Sequence, residues 1–170
     1  MKRLLIAAVT MILGCTAVSA QNKGDMYIGG TAGIAIQASG GGVGAGLVVQ
    51  PEFSGFVADR CRLGVSVGYG LSEGTHSITL CPNFAYYVRL SDGLYYTPGI
   101  EAGFVMAILR GAYPGVGVAL NIFSLEFRPT KHFGFSANLI SLNFMALKSA
   151  GSALNFDMGV NPTFGVKYYF

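Results

Sequence analysis

The sequence predicts an all-β chain: an eight-stranded antiparallel up-and-down transmembrane β-barrel that follows a cleaved signal peptide. Three observations predict it. Apolar residues recur at every second position along most of the chain, only 11% of residues are charged while 52% are hydrophobic, and residues 1–20 have the layout of an export signal. About a quarter of the residues of a soluble domain are charged. Few charges and no long apolar run after the leader fit a chain whose apolar surface is dispersed along strands.

Lys2 and Arg3 open the leader, Leu4 to Leu13 form its apolar stretch, and Ala17-Val18-Ser19-Ala20 offers small residues for cleavage. This order predicts a signal peptide over 1–20 and a barrel domain over 21–170. Leu4 to Val18 is too short to span a bilayer comfortably as a helix. Ile12-Leu13-Gly14-Cys15 offers a rival site at which Cys15 is lipidated instead. Loss of Lys2 and Arg3 reduces the 11 basic residues to 9, against 8 acidic ones. A mature chain this close to neutral has no basic patch for nucleic acid, which is excluded as a partner.

Beyond Gln21 the period is two. Met26–Gln37, Ala45–Val57, Leu63–Leu71, Ile78–Leu90, Leu94–Met106, Val116–Arg128, Phe133–Phe144 and Phe156–Phe170 each set an apolar or aromatic face against a small or polar one. A helix would mix these sets, so all eight read as strands. Two of them change phase once, near Ile122-Phe123 and near Ile140-Ser141, which predicts a bulge in each. The connections at Ser39–Gly42, Ser72–Gly74, Arg110–Pro114 and Lys148–Ser152 fall at one end. Those at Ala58–Cys61, Ser91–Gly93 and Pro129–His132 fall at the other. Pro51, Pro82, Pro98 and Pro162 lie within strands, where each removes a donor, so bulges, strand ends or local irregularities are expected there.

The orientation follows from charge. A water-facing exterior made of the Gly, Ser, Thr and Asn faces would carry too few charges. With the apolar faces turned to lipid, each is long enough to cross a bilayer as a tilted strand, and closure removes edges that hydrocarbon does not tolerate. Glu52, Arg89, Glu101, Glu126, Arg128, Asp157 and Lys167 then point inward and form a polar network that fills a narrow lumen. Tyr27, Tyr69, Tyr86, Tyr95, Tyr96, Tyr113 and Tyr168 are expected in the aromatic girdles at the two interfaces.

Pro51-Glu52-Phe53-Ser54-Gly55-Phe56-Val57-Ala58-Asp59, followed by Leu63-Gly64-Val65-Ser66-Val67-Gly68-Tyr69, resembles a hairpin of the small outer-membrane β-barrel family of Gram-negative bacteria. Ser54-Gly55-Phe56 replaces that family's usual Gly-Tyr-Phe. The closing strand carries the second likeness: Thr163, Gly165, Tyr168 and Phe170 match the polar-x-Gly-x-x-aromatic-x-aromatic pattern read by the β-barrel assembly machinery. The resemblance implies a Gram-negative outer-membrane location, contact with outer-membrane lipid, and that machinery as a partner during biogenesis. It implies no activity.

Chemistry is sparse. His76 and His132 fall at opposite ends and cannot share a metal, and no cofactor is expected. His132, Ser136 and Asn138 invite comparison with outer-membrane lipid A deacylases, but those space the three as H-x-S-N, whereas here they read H-x-x-x-S-x-N. Cys81 falls opposite about residue 66, far along the strand from Cys61, so the two thiols are expected free. The expected function is therefore non-enzymatic: a structural, scaffold or accessory-subunit barrel with a protein partner in the envelope. The alternatives are a minor narrow pore and, behind it, a lipid A-modifying hydrolase. Short outer connections weaken an adhesin or receptor reading.

Overall fold

The computed structural model describes residues 23–39, 42–72, 75–108, 111–148, 158–160 and 162–170. The signal peptide, Cys15 and Asp157 lie outside them. Eleven β-segments run in chain order: β1 Met26–Ser39, β2 Gly42–Ala58, β3 Cys61–Ser72, β4 Thr75–Tyr86, β5 Val88–Ser91, β6 Leu94–Tyr96, β7 Gly99–Ile108, β8 Ala112–Phe127, β9 Phe133–Leu147, β10 Met158–Val160 and β11 Thr163–Tyr169. β4 and β5 form one stave that bends at Tyr87, β6 and β7 one that breaks at Thr97-Pro98, and β10 and β11 one that breaks at Pro162. Eight staves result, antiparallel throughout, and β11 pairs with β1 to close the ring.

Alternation is visible in the burial of every stave. In β3, Leu63, Val65, Val67 and Tyr69 are exposed while Arg62, Ser66, Gly68 and Gly70 are buried. Across the exterior, Leu47, Val116 and Phe164 are each more than 60% exposed, whereas Glu126 is 0% exposed and Lys167 5%. Apolar side chains outside and charges inside invert the arrangement of a soluble barrel, as the composition requires.

The two expected phase slips prove to be one feature. Asn121 pairs with Ser141, Phe123 with Ile140 and Ser124 with Asn138, so Ile122 and Leu139 are extra residues on facing strands. Because each strand has one, the register recovers within two rungs, and Ile122, Phe123, Leu139 and Ile140 all face outward. The prolines divide into two kinds. Pro98 and Pro162 stand at stave breaks. Pro51 and Pro82 sit inside continuous strands, where the β2–β3 ladder skips from Val49 to Glu52 and the β4–β7 ladder from Leu80 to Asn83 without a change of register. The missing donor thus opens one ladder locally and leaves the fold intact.

At the turn end, Gly93 takes φ 74° after Ser91-Asp92 and Arg60 takes φ 67° in the two-residue Asp59-Arg60 turn. The Arg60 carbonyl accepts from Tyr87 N at 2.8 Å, which stitches the bend of the fourth stave to the neighbouring turn. Cys61 pairs with Tyr86 and Cys81 with Ser66, the register expected from the hairpin, and both thiols are free. The tyrosines separate into two sets. Tyr69, Tyr86 and Tyr168 are exposed on the outer face as expected, but Tyr27 and Tyr95 point inward with Tyr87 and Tyr169. The inward set shares the parity of the polar positions and forms a buried cluster with Phe56 at the turn end.

Candidate functional site in the barrel lumen

Two ion pairs fill the lumen at its turn end. Glu126 on β8 accepts from Lys167 Nζ at 2.7 Å and from Tyr87 OH at 2.8 Å, and its other oxygen accepts from Tyr169 OH. Gly134 on β9 lies between these strands; a Cβ there would stand 3.3 Å from Glu126 Oε1 and 3.1 Å from the Tyr169 ring, so glycine leaves the space in which the pair meets. Glu52 on β2 accepts from Tyr27 OH at 2.8 Å and Ser54 Oγ at 2.6 Å, and pairs with Arg62 at 3.2 Å. Arg62 also donates to Tyr27 OH and, at 3.0 Å, to Asn83 Oδ1. It reaches them over Gly64, where a Cβ would overlap Ser54 Oγ. Lys167 Nζ stands 4.9 Å from the Tyr27 ring centroid, so phenol rings and cations interleave.

A second layer lies toward the loop end. Glu101 accepts from Gln50 Nε2 at 2.8 Å and from Asn121 Nδ2 at 3.0 Å. Gln50 also donates to Ser66 Oγ, and Asn138 Nδ2 donates to Asn121 Oδ1 at 2.7 Å. Above the ion pairs lies a cavity of about 120 Å³ that Glu101, Asn121, Ser136, Asn138, Asn143 and Thr163 help to line. The expectation that side chains fill the lumen therefore holds for the turn end and not for the layer above it.

The structure brings together Glu52, Glu126 and Lys167 from the expected network and separates the rest. Glu101 has amide partners and no cation among the described residues. Arg89 stands opposite the inward Tyr95 but, among the described residues, meets no acid of that network; its guanidinium pairs with Asp92 in the β5–β6 turn. Arg128 lies at the rim, its guanidinium 3.6 Å from the Tyr169 ring centroid and bonded to Lys131 O. Arg62 was missed by the sequence reading, which began the third strand at Leu63, two residues late. Tyr27, Tyr87 and Tyr169 were legible from parity, since each alternates with an outward apolar residue.

His132 and Ser136 do not meet. His132 Nδ1 bonds the Tyr169 carbonyl at 3.1 Å and its ring stacks on Tyr168 at the exposed β8–β9 turn. Ser136 lines the cavity, and its buried Oγ has no hydrogen-bond partner. A serine with no base in contact is not an activated nucleophile. In the closing strand, Thr163 lines the cavity and Gly165 packs where a Cβ would stand 2.6 Å from Thr31 and 2.7 Å from Ser136. Tyr168 and Phe170 face outward, and Phe170 N donates to Met26 O at 3.1 Å.

A closed ring with an apolar exterior and a charged, hydrogen-bonded interior defines a transmembrane β-barrel protein. Solved structures place it more narrowly. Neisserial surface protein A is similar over 87% of this chain and 100% of its own, at 14% identity and a TM-score of 0.70. The N-terminal β-barrel domain of Pseudomonas aeruginosa OprF is similar over 88% and 100%, at 14% identity and 0.55. The attachment invasion locus protein Ail of Yersinia pestis is similar over 87% and 99%, at 13% identity and 0.51. This chain has the fold of the small eight-stranded outer-membrane β-barrel proteins. Searches against protein-family models and against curated proteins found no match.

Proposed function

We propose that this chain is an integral protein of a Gram-negative outer membrane, non-enzymatic, with a structural or accessory role and a lumen closed to solutes. The observation that carries the reading is the pair of ion pairs at the turn end, packed among Tyr27, Tyr87 and Tyr169. Two cations paired with two carboxylates leave no net charge in that layer to attract a permeant ion. Reconstituted in a planar bilayer, the wild-type protein is expected to show no steady conductance. Steady conductance that Glu101→Ala removes would overturn closure and establish the minor-pore alternative.

A silent barrel acts through what it touches, so outer-membrane lipid and a protein partner in the envelope are proposed as its contacts. Capture of one defined envelope protein with the barrel from native membranes is the expected result. The closing strand is proposed as the address. Deletion of Phe170 should leave export intact and reduce the assembled, heat-modifiable form several-fold, read by gel migration of outer-membrane fractions. The outward placement of Tyr168 and Phe170 leaves the lumen untouched by that deletion. Normal assembly of the deletion variant would remove the address from the reading.

A further inference from the structure

We propose that the lumenal cavity holds one hydrated alkali cation, bound by the Glu101 carboxylate. Among the described residues that line the cavity, Arg62 and Lys167 are already engaged by Glu52 and Glu126. Glu101 is the remaining charge, and both of its described partners are neutral amides. Hydrogen bonds from amides orient a carboxylate but do not cancel its charge, and an uncompensated charge inside a lipid-surrounded barrel is costly. A cation of single charge balances it.

The neighbours are arranged to receive that cation. Asn121 donates to Glu101 through Nδ2, so its Oδ1 turns to Asn138; Asn138 donates Nδ2 to that oxygen, and its own Oδ1 is left buried without a partner. Each amide in this chain spends its donor toward the carboxylate and leaves acceptor capacity behind. Ser136 Oγ and Asn143 Nδ2 are likewise buried and unpartnered. Glu101 pairs with Ala119 and Ala119 with Asn143, so these three stand on one rung, and the small alanine leaves space between the two polar side chains.

Donor type and volume select the ion. No group of three or more His, Cys, Asp or Glu that could hold a metal occurs among the described residues. That argues against zinc-type sites, and one carboxylate is too little charge for calcium. Neutral oxygens with water suit an alkali ion. A cavity of about 120 Å³ exceeds the roughly 10–15 Å³ that one water needs, so the ion keeps part of its hydration shell. Ser136 Oγ and Asn138 Oδ1 serve as acceptors, and Asn143 Nδ2 donates to a water of that shell. The site is static, so it stands whether or not the barrel conducts.

Crystals of the refolded mature barrel soaked in thallium(I), a stand-in for potassium, test it by anomalous diffraction. One lumenal peak beside Glu101 is expected, displaced by excess potassium, lost in Glu101→Gln and kept in Glu101→Asp. A wild-type crystal without a lumenal peak overturns the proposal, and so does a peak that survives in Glu101→Gln. Infrared spectroscopy supplies a measurement on the wild type in solution. An ionised carboxylate at neutral pH is expected; a protonated-acid carbonyl band that Glu101→Gln removes would mean that a proton, and no metal ion, neutralises the site.

Discussion

Replacing Lys167 by alanine is expected to destabilise the barrel by about 3–5 kcal/mol, because it strands Glu126 as an uncompensated buried charge. Glu126 is 0% exposed, and without Lys167 its described partners are the hydroxyls of Tyr87 and Tyr169, which cannot balance a full negative charge. Glu126→Ala should cost a similar amount by stranding the ammonium. The double variant Glu126→Gln/Lys167→Met should recover most of the loss, since removing both charges also removes both desolvation penalties. The chain contains no tryptophan, so unfolding in urea is best followed by the shift in gel migration between folded and unfolded barrels. A single-variant cost below about 1 kcal/mol would mark a solvated pair. The closed floor on which the functional reading stands would then be lost.

The second large effect lies on the opposite face. Val67→Arg should cost about 2–4 kcal/mol, while Leu63→Arg and Leu71→Arg, nearer the two ends of β3, should cost about 0–1 kcal/mol each. The 12 residues of β3, at about 3.3 Å per residue and tilted about 45°, rise roughly 28 Å, enough to cross a hydrocarbon band of about 25 Å. Val67 stands near the middle of that rise and faces outward. Refolding into lipid vesicles, with stability measured for the three variants, should trace a maximum at Val67. A flat series would mean that this face does not meet hydrocarbon.

Much of the fold was legible because strand alternation is local. Leu63, Val65, Val67 and Tyr69 declare their face whatever the rest of the chain does, and charge poverty says that this face meets lipid. The Ser66–Cys81 register followed from hairpin geometry, and the paired irregularity at Ile122 and Leu139 from two phase slips. Arg62 was missed for a similarly local reason: the strand begins two residues before the alternation that marked it, and strand ends have weak sequence signals.

The sequence by itself determined the all-β class, the eight staves, the inverted faces and the inward side of Glu52, Glu101, Glu126 and Lys167. The tertiary structure alone decided who pairs with whom inside. Glu126 and Lys167 lie 41 residues apart and meet across β9 at a glycine. Glu101 points into the same lumen yet, among the described residues, meets only amides. Arg89 has a suitable parity but is held by Asp92 in the β5–β6 turn. A period of two assigns a side chain to a face. Stagger between strands, small residues at the crossings and breaks in individual staves set its partners, and these exist only once the ring has closed.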